Sequence, residues 1–242
     1  MTGALQAVIF DFDGVIADSE PLHLRAFQQA LAEENIQLTS QDYFSRYLGF
    51  DDVGLIEALA TDRGLGMSDR HITALVARKG AILQSLMQAD SVLFPGAREF
   101  IREAAAVVPI GIASGALRHE INEVMDAAGV ADLFSVIVAS GDTPESKPSP
   151  APYLLAFERL RQACGELDAR RCVAIEDSRW GLQSASGAGL RCVGVTNSYP
   201  AHELPGAELI VDGLKELSVP MLDRLVLQGG NGRGAGSRQH HA

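Results

Sequence analysis

Six short apolar runs punctuate the chain, at 6–11, 108–113, 135–139, 171–175, 191–195 and 208–211. They are rich in Val and Ile and mostly apolar at successive positions, so each strand they form asks for burial on both faces. Between them, polar and apolar residues follow a helical period. Ala97–Ala106 comes after Pro95-Gly96, Arg118–Ala128 runs up to Gly129, Pro150–Cys164 to Gly165, and Ser178–Ala188 to Gly189. A glycine just past the last periodic residue is a common helix stop. Strands alternating with helices predict an α/β fold, a doubly wound parallel sheet with right-handed crossovers.

One stretch breaks the alternation. Residues 18–92 hold no convincing strand and show helical periodicity at Leu22–Glu34, Gln41–Tyr47, Asp52–Arg63 and Ser68–Met87. The pattern predicts an all-α cap inserted between the first strand and its continuation, with hinges near Ile16–Asp18 and Ser91–Pro95. An insertion after the carboxyl end of a strand lies over the edge where such sheets bind ligands, so a lid is expected. The expected division is a core of 1–17 and 93–228, a cap of 18–92, and a tail of 229–242. The tail is rich in Gly, carries no aliphatic residue larger than Ala, and is expected to be disordered.

Composition narrows the function classes. Of 242 residues 47% are apolar, enough for one α/β domain with an insertion. Lys plus Arg number 20 against 31 Asp plus Glu, a formal net charge of −11. Nucleic acid and anionic membrane surfaces are therefore unexpected partners, because both ask for basic stripes. A phosphate ester remains compatible where a metal and local cations invert the sign of the pocket. The three cysteines, Cys164, Cys172 and Cys192, show no metal-type spacing and fit free thiols in a reducing compartment. Asp11 interrupts the only N-terminal apolar run, and no apolar run approaches the ~18 residues of a membrane span, so a soluble cytoplasmic protein is expected. Oligomeric state is not legible.

Four segments carry candidate chemistry. In the first, an apolar run passes straight into Asp11, Asp13 and Gly14. Residues i and i+2 of an extended chain point the same way, and two like charges there invite a hard divalent cation with oxygen ligands. An Asp-Gly turn or a helix cap is the plainer alternative. In the second, the strand Ile110–Ala113 ends at Ser114-Gly115 ahead of a helix. That places backbone N–H groups and a hydroxyl where an anion binds, although Ser114 also suits a simple N-cap. The third, Ser146-Lys147-Pro148-Ser149-Pro150, holds one cation in a stiff loop before a helix. The fourth, Glu176-Asp177-Ser178, ends another strand in two acids, or caps the next helix with them. Asp11, Ser114, Lys147 and Glu176-Asp177 all fall at or just past the carboxyl ends of predicted strands, which in a parallel sheet share one edge.

In this order the four segments resemble the haloacid dehalogenase superfamily of phosphotransferases, over roughly residues 5–212. The helical insertion is similar to the cap of the subgroup containing β-phosphoglucomutase and the phosphoglycolate-type phosphatases. The resemblance implies a Rossmann-like core and a role for each segment. Asp11 would be the nucleophile that forms an aspartyl-phosphate. Asp13 would be general acid and base, its backbone carbonyl a ligand of Mg²⁺. Ser114 and the Gly115 N–H would hold the phosphoryl group, and Lys147 would neutralise it together with Asp11. Glu176 and Asp177 would hold the metal, Asp177 most directly. His23 and Lys79 match cap positions that touch substrate in the family. Without that context His23 is an ordinary surface histidine, and Lys79 a solvated one.

Two departures matter. Around the turn where the mutases carry a basic residue, this chain reads Gly49-Phe50-Asp51-Asp52. Many relatives carry Asp where this chain has Ala151. The expectation is a Mg²⁺-dependent phosphatase of a small phosphorylated metabolite, a sugar phosphate or related monoester. A sugar phosphomutase is the alternative. A phosphonate hydrolase would use Lys79 as a Schiff base, and a metal-free dehalogenase would leave Asp13 without a task. A receiver-like module would lack the cap and the Lys147 loop.

Overall fold

The computed structural model describes residues 4–48, 50–89 and 92–230. Four successive apolar residues make β1 (Ala7–Phe10), and every one of them is buried. It is flanked by β2 (Ile110–Ala113) and β4 (Cys172–Glu176), with registers Ile9–Gly111 on one side and Ile9–Ala174 on the other. β3 (Phe134–Val138) lies outside β2, while β5 (Arg191–Val195) and β6 (Leu209–Val211) continue beyond β4. All neighbours are parallel, in the order β3-β2-β1-β4-β5-β6. The chain builds outward from β1 to β3, then returns to the other side of β1. The carboxyl end of β1 is thus the point where the winding reverses, and in doubly wound sheets a ligand binds there.

The chain divides into two compact units, Met1–Asp18 with Leu93–Ala242, and Ser19–Val92. In the first unit, helix α7 (Ala151–Cys164) buries Tyr153, Ala156 and Leu160, and α8 (Arg179–Gly187) buries Leu182 and Ala185. These join Ile9, Ala174, Cys172 and Cys192 in one apolar cluster. Burial pushes both of those thiols up to about 12, and neither is in a disulfide. Helices α5 (Ala97–Ala105) and α6 (Arg118–Ala128) complete the crossovers. A further helix, α9 (Val219–Gly230), closes the described chain. The expected core, 93–228, holds most of this helix although no helix was expected there; residues 231–242 of the expected tail lie outside the described residues.

The second unit is all helical. Its long members are α1 (Glu20–Ala32), α3 (Asp52–Arg63) and α4 (Asp69–Ala89), with Leu24, Phe27, Leu31, Leu55, Leu59 and Leu75 in its core. The expected helix over 41–47 is only partly regular. A short α2 (Ser40–Asp42), capped by Thr39, widens into a π-helical turn at Tyr43–Tyr47, where Leu48 N–H reaches back five residues to Tyr43 O. Both tyrosines are buried, and their hydroxyls donate to Glu20 and Asp62. Among the described residues no helix is long and apolar enough to cross a membrane.

Candidate active site

β1 hands the chain to Asp11, whose N–H continues the ladder onto Ile175 O at 2.9 Å. There the strand stops. Phe12 O accepts the N–H groups of both Ile16 and Ala17, and Phe12 N–H turns onto the Asp11 carboxylate at 2.7 Å. The same-side rule for i and i+2 therefore does not reach Asp13, which lies in the turn and bridges to Ala17. Gly14 completes the turn at φ +75°, and a Cβ there would sit 1.8 Å from Asp177 Oδ2. The Asp-Gly pair is thus a turn and a close approach between two strand ends at once.

At the neighbouring strand end, Glu176 is fully buried and receives four hydrogen bonds. Oε1 accepts from Lys147 Nζ at 2.6 Å and from the Tyr153 hydroxyl at 2.9 Å. Oε2 accepts from Asp177 N–H and from the Ser178 hydroxyl, both at 3.2 Å. Room for this carboxylate comes from Gly181, where a Cβ would lie 1.9 Å from it. Ser178 caps α8 by accepting Gly181 N–H. Lys147 spans the gap between strand ends, its second contact being Asp11 Oδ1 at 2.9 Å. The Tyr153 ring lies 5.0 Å from the same ammonium. Neither Tyr153 nor Gly181 stands out in the sequence as a site residue, because a helical tyrosine reads as core and a helical glycine as packing.

Ser114 follows β2, and its N–H donates to Val138 O. Its hydroxyl oxygen accepts Ala116 N–H at 3.0 Å, so it supports the local turn in the way an N-cap would. A cavity of about 240 Å³ opens beside it, lined by Ser114, Gly115, Ser140, Thr143 and Lys147 among others. A Cβ on Gly115 would meet nothing within 4 Å, which leaves the backbone there free to approach a ligand.

The electrostatics are unbalanced. Asp11, Glu176 and Asp177 are all buried, with ligand oxygens within 4.8 Å of one another. Lys147 is the cation that pairs with this group, touching two of the three. Burial raises Asp11 well above the usual carboxylate range, and the nearby Glu176 adds to the rise. Burial and Glu176 likewise bring Asp177 up to about 7. Burial works against the Lys147 charge, but Asp11 and Glu176 outweigh it and hold the ammonium above its ordinary value. Among the described residues, three acidic side chains against this one cation make a dry site of negative character. An all-oxygen donor set of that sign fits a hard divalent cation.

The two cap residues singled out in the sequence meet each other. Lys79 is 1% exposed, which corrects the solvated helix position that sequence alone would give it. Its Nζ donates to both oxygens of Asp52, at 2.7 and 2.9 Å, and lies 3.1 Å from His23 Nδ1. Asp51 instead caps α3 by accepting Gly54 N–H. Gly49 lies outside the described residues.

Residues 5–189 match the haloacid dehalogenase-like hydrolase family. The chain belongs to this family. The hydrolase is 31% identical over 202 residues to a phosphoglycolate phosphatase of Yersinia pseudotuberculosis, covering 81% of this chain and 83% of that protein. It is 34% identical over 205 residues to protein CbbY of Rhodobacter capsulatus, covering 81% and 87%. Among solved structures, CbbY from Rhodobacter sphaeroides in complex with xylulose-1,5-bisphosphate is 29% identical, with a TM-score of 0.76 over 90% of this chain and 99% of that one. Family membership makes the hydrolase an enzyme, and the Yersinia relative is named as a phosphatase.

Proposed function

We propose that this hydrolase is a Mg²⁺-dependent phosphatase of a small phosphorylated metabolite, a sugar phosphate or related monoester. The observation that carries the reading is Lys147, 2.9 Å from Asp11 and 2.6 Å from Glu176, beside a cavity that also exposes Ser114 and Gly115. A phosphate dianion approaching a carboxylate is repelled, and here a fixed ammonium already neutralises the attacking oxygen. An Asp11 oxygen attacks phosphorus, the ester P–O bond breaks, and Asp13 protonates the departing oxygen. Water then attacks the aspartyl-phosphate, Asp13 takes its proton, and inorganic phosphate leaves with Asp11 regenerated. The Ser114 hydroxyl and the Gly115 N–H hold the transferring oxygens, and Lys147 neutralises these together with Asp11. Asp11 and Asp177 would hold Mg²⁺, with Glu176 and the Asp13 carbonyl beside them. When bound, the ion supplies charge that offsets the phosphoryl oxygens. Glu176, with four hydrogen bonds already, mainly anchors Lys147.

In the cap, His23 is the residue we assign to substrate recognition; Lys79 acts behind it. A cytoplasmic setting without nucleic-acid or membrane partners accords with the free thiols and the net charge of −11.

A screen of phosphorylated metabolites, with and without Mg²⁺, tests the reading. The expected result is Mg²⁺-dependent, stoichiometric phosphate release from at least one small monoester. Interconversion of sugar phosphates without phosphate release would replace it with the mutase. Full hydrolysis in excess chelator would remove the metal.

A further inference from the structure

We propose that Asp52 and Lys79 lock His23 as a neutral imidazole with its proton on Nε2, so that this cluster offers a ligand an uncharged donor and no cation. The geometry runs through three helices of the cap. Lys79 on α4 has three N–H bonds and no acceptor while it is charged. Two of them are taken by the Asp52 oxygens on α3, at 2.7 and 2.9 Å. The third meets His23 Nδ1 on α1 at 3.1 Å. An ammonium cannot accept a hydrogen bond, so Nδ1 is the acceptor and the ring proton resides on Nε2.

The surroundings keep the ammonium charged and in place. Its side chain is 2% exposed against 34% for Asp52, and the Phe27 ring lies 4.8 Å beneath Nζ. A buried lysine needs a counter-ion, and Asp52 supplies it on two oxygens. A second proton on His23 would face this ammonium directly. Burial, with Lys79 adding to it and Asp52 opposing, brings the histidine down to about 4. On the far side of the ring, Nε2 has no partner among the described residues, whereas no buried side-chain nitrogen or oxygen there lacks one. Nε2–H therefore opens to solvent and is free to donate.

The charge count sets the ligand class. Lys79 and Asp52 cancel, and His23 is neutral, so the cluster suits an uncharged acceptor such as a hydroxyl or carbonyl oxygen. A second phosphate or a carboxylate would find no free charge here. The ligand half of this inference rests on the phosphatase reading; the lock itself does not.

Long-range ¹H–¹⁵N spectra of the full-length protein test the lock, with His23→Gln to assign the ring. The expected pattern is an unprotonated Nδ1 and a protonated Nε2, unchanged from pH 8 down to about pH 5. In Lys79→Met the same ring should titrate at a higher pH than in the unaltered protein, because the opposing ammonium is gone and Asp52 remains beside it, while burial still holds it down. A proton on Nδ1, or an imidazolium at pH 6 in the unaltered protein, overturns the lock. The ligand class is read with a hexose monophosphate, the matching hexose bisphosphate and a small aryl phosphate. His23→Phe should lower kcat/KM about 10-fold for the hexose monophosphate and by clearly less for the aryl phosphate, as one lost hydrogen bond predicts. A His23→Phe loss confined to the bisphosphate overturns the uncharged-ligand class. If none of the esters is hydrolysed, the phosphatase reading falls, and the spectra still decide the lock.

Discussion

Lys79 is buried and Lys147 is mostly so, its side chain 14% exposed; each is held by carboxylates, and one lies in each unit of the chain. Lys147 faces three acids, Asp11, Glu176 and Asp177, of which it touches two. Lys79 faces Asp52 alone and leans on a neutral histidine. The cap cluster is balanced and asks for nothing more. The core cluster is not, and the burial that raises Asp11 and Asp177 is the measure of what it lacks. A buried lysine by itself says little about function. The sum of charges around it separates a site that takes up a cation from one that is already closed.

Removing the carboxylate proposed as nucleophile should break the core most completely. Asp11→Asn should lower turnover by about 10³-fold or more while the far-ultraviolet circular dichroism stays unchanged, since an amide is no nucleophile. Hydrolysis near the unaltered rate would displace Asp11 from its role. Next in size is the pair Lys147→Met and Lys79→Met. Without Lys147, buried acids are left uncompensated, and denaturant unfolding of the metal-free protein should show a loss of about 3–5 kcal/mol. Lys79→Met leaves Asp52, one-third exposed, able to reach water and should cost clearly less. Equal losses would erase the distinction between the clusters.

A finer cut separates the two adjacent acids. Asp177→Ala should raise the Mg²⁺ concentration for half-maximal activity by about 10–100-fold. Glu176→Ala should move that requirement less and lower the melting temperature more, because it takes a partner from Lys147, Tyr153 and the Ser178 hydroxyl together. The opposite ranking would reverse the assignment. The smallest effect is on pH. In the folded, metal-free protein Asp177 keeps its proton up to about pH 7, against 3.8 for an unperturbed side chain. Between those values the folded state binds the extra proton, so metal-free stability should fall as pH rises from about 4 to about 7. Mg²⁺ held at Asp177, as proposed, would displace that proton. It should therefore raise the melting temperature by several degrees at pH 8 and by little at pH 5, measured by calorimetry with and without chelator.

The strands were legible because parallel strands are apolar on both faces, and helices ending at Gly129 and Gly165 announce their stops. Lys147, Ser114 and the Glu176-Asp177 pair were legible by their place after strands. Other features depend on contacts distant in sequence. Asp52 reads as a misplaced acid until Lys79, on another helix, is seen against it. Tyr153 reads as core, and it is; its hydroxyl matters only because Glu176 lies above it. The apolar positions Val219, Leu222, Leu225 and Val226 follow a helical spacing, but over so short a stretch after the last strand the pattern alone does not single out α9. Asp13 shows the limit of a local rule: strand alternation ended one residue before it was needed.

The junction at which the cap departs has an evolutionary consequence. Ala17 pairs antiparallel with Leu93, and Phe94 N–H donates to Ile16 O at 3.0 Å. The outgoing and returning chains leave the core stapled side by side, like the stems of a hairpin. Whatever is spliced between them inherits ends already held together, so its length adds little closure entropy. Residues 19–92 are in this sense a cassette. Recombination could exchange it for a helical segment from another gene, or for a tight turn, without disturbing β1 or β2. New substrate ranges would then arise by trading inserts rather than by remodelling the chemistry beneath.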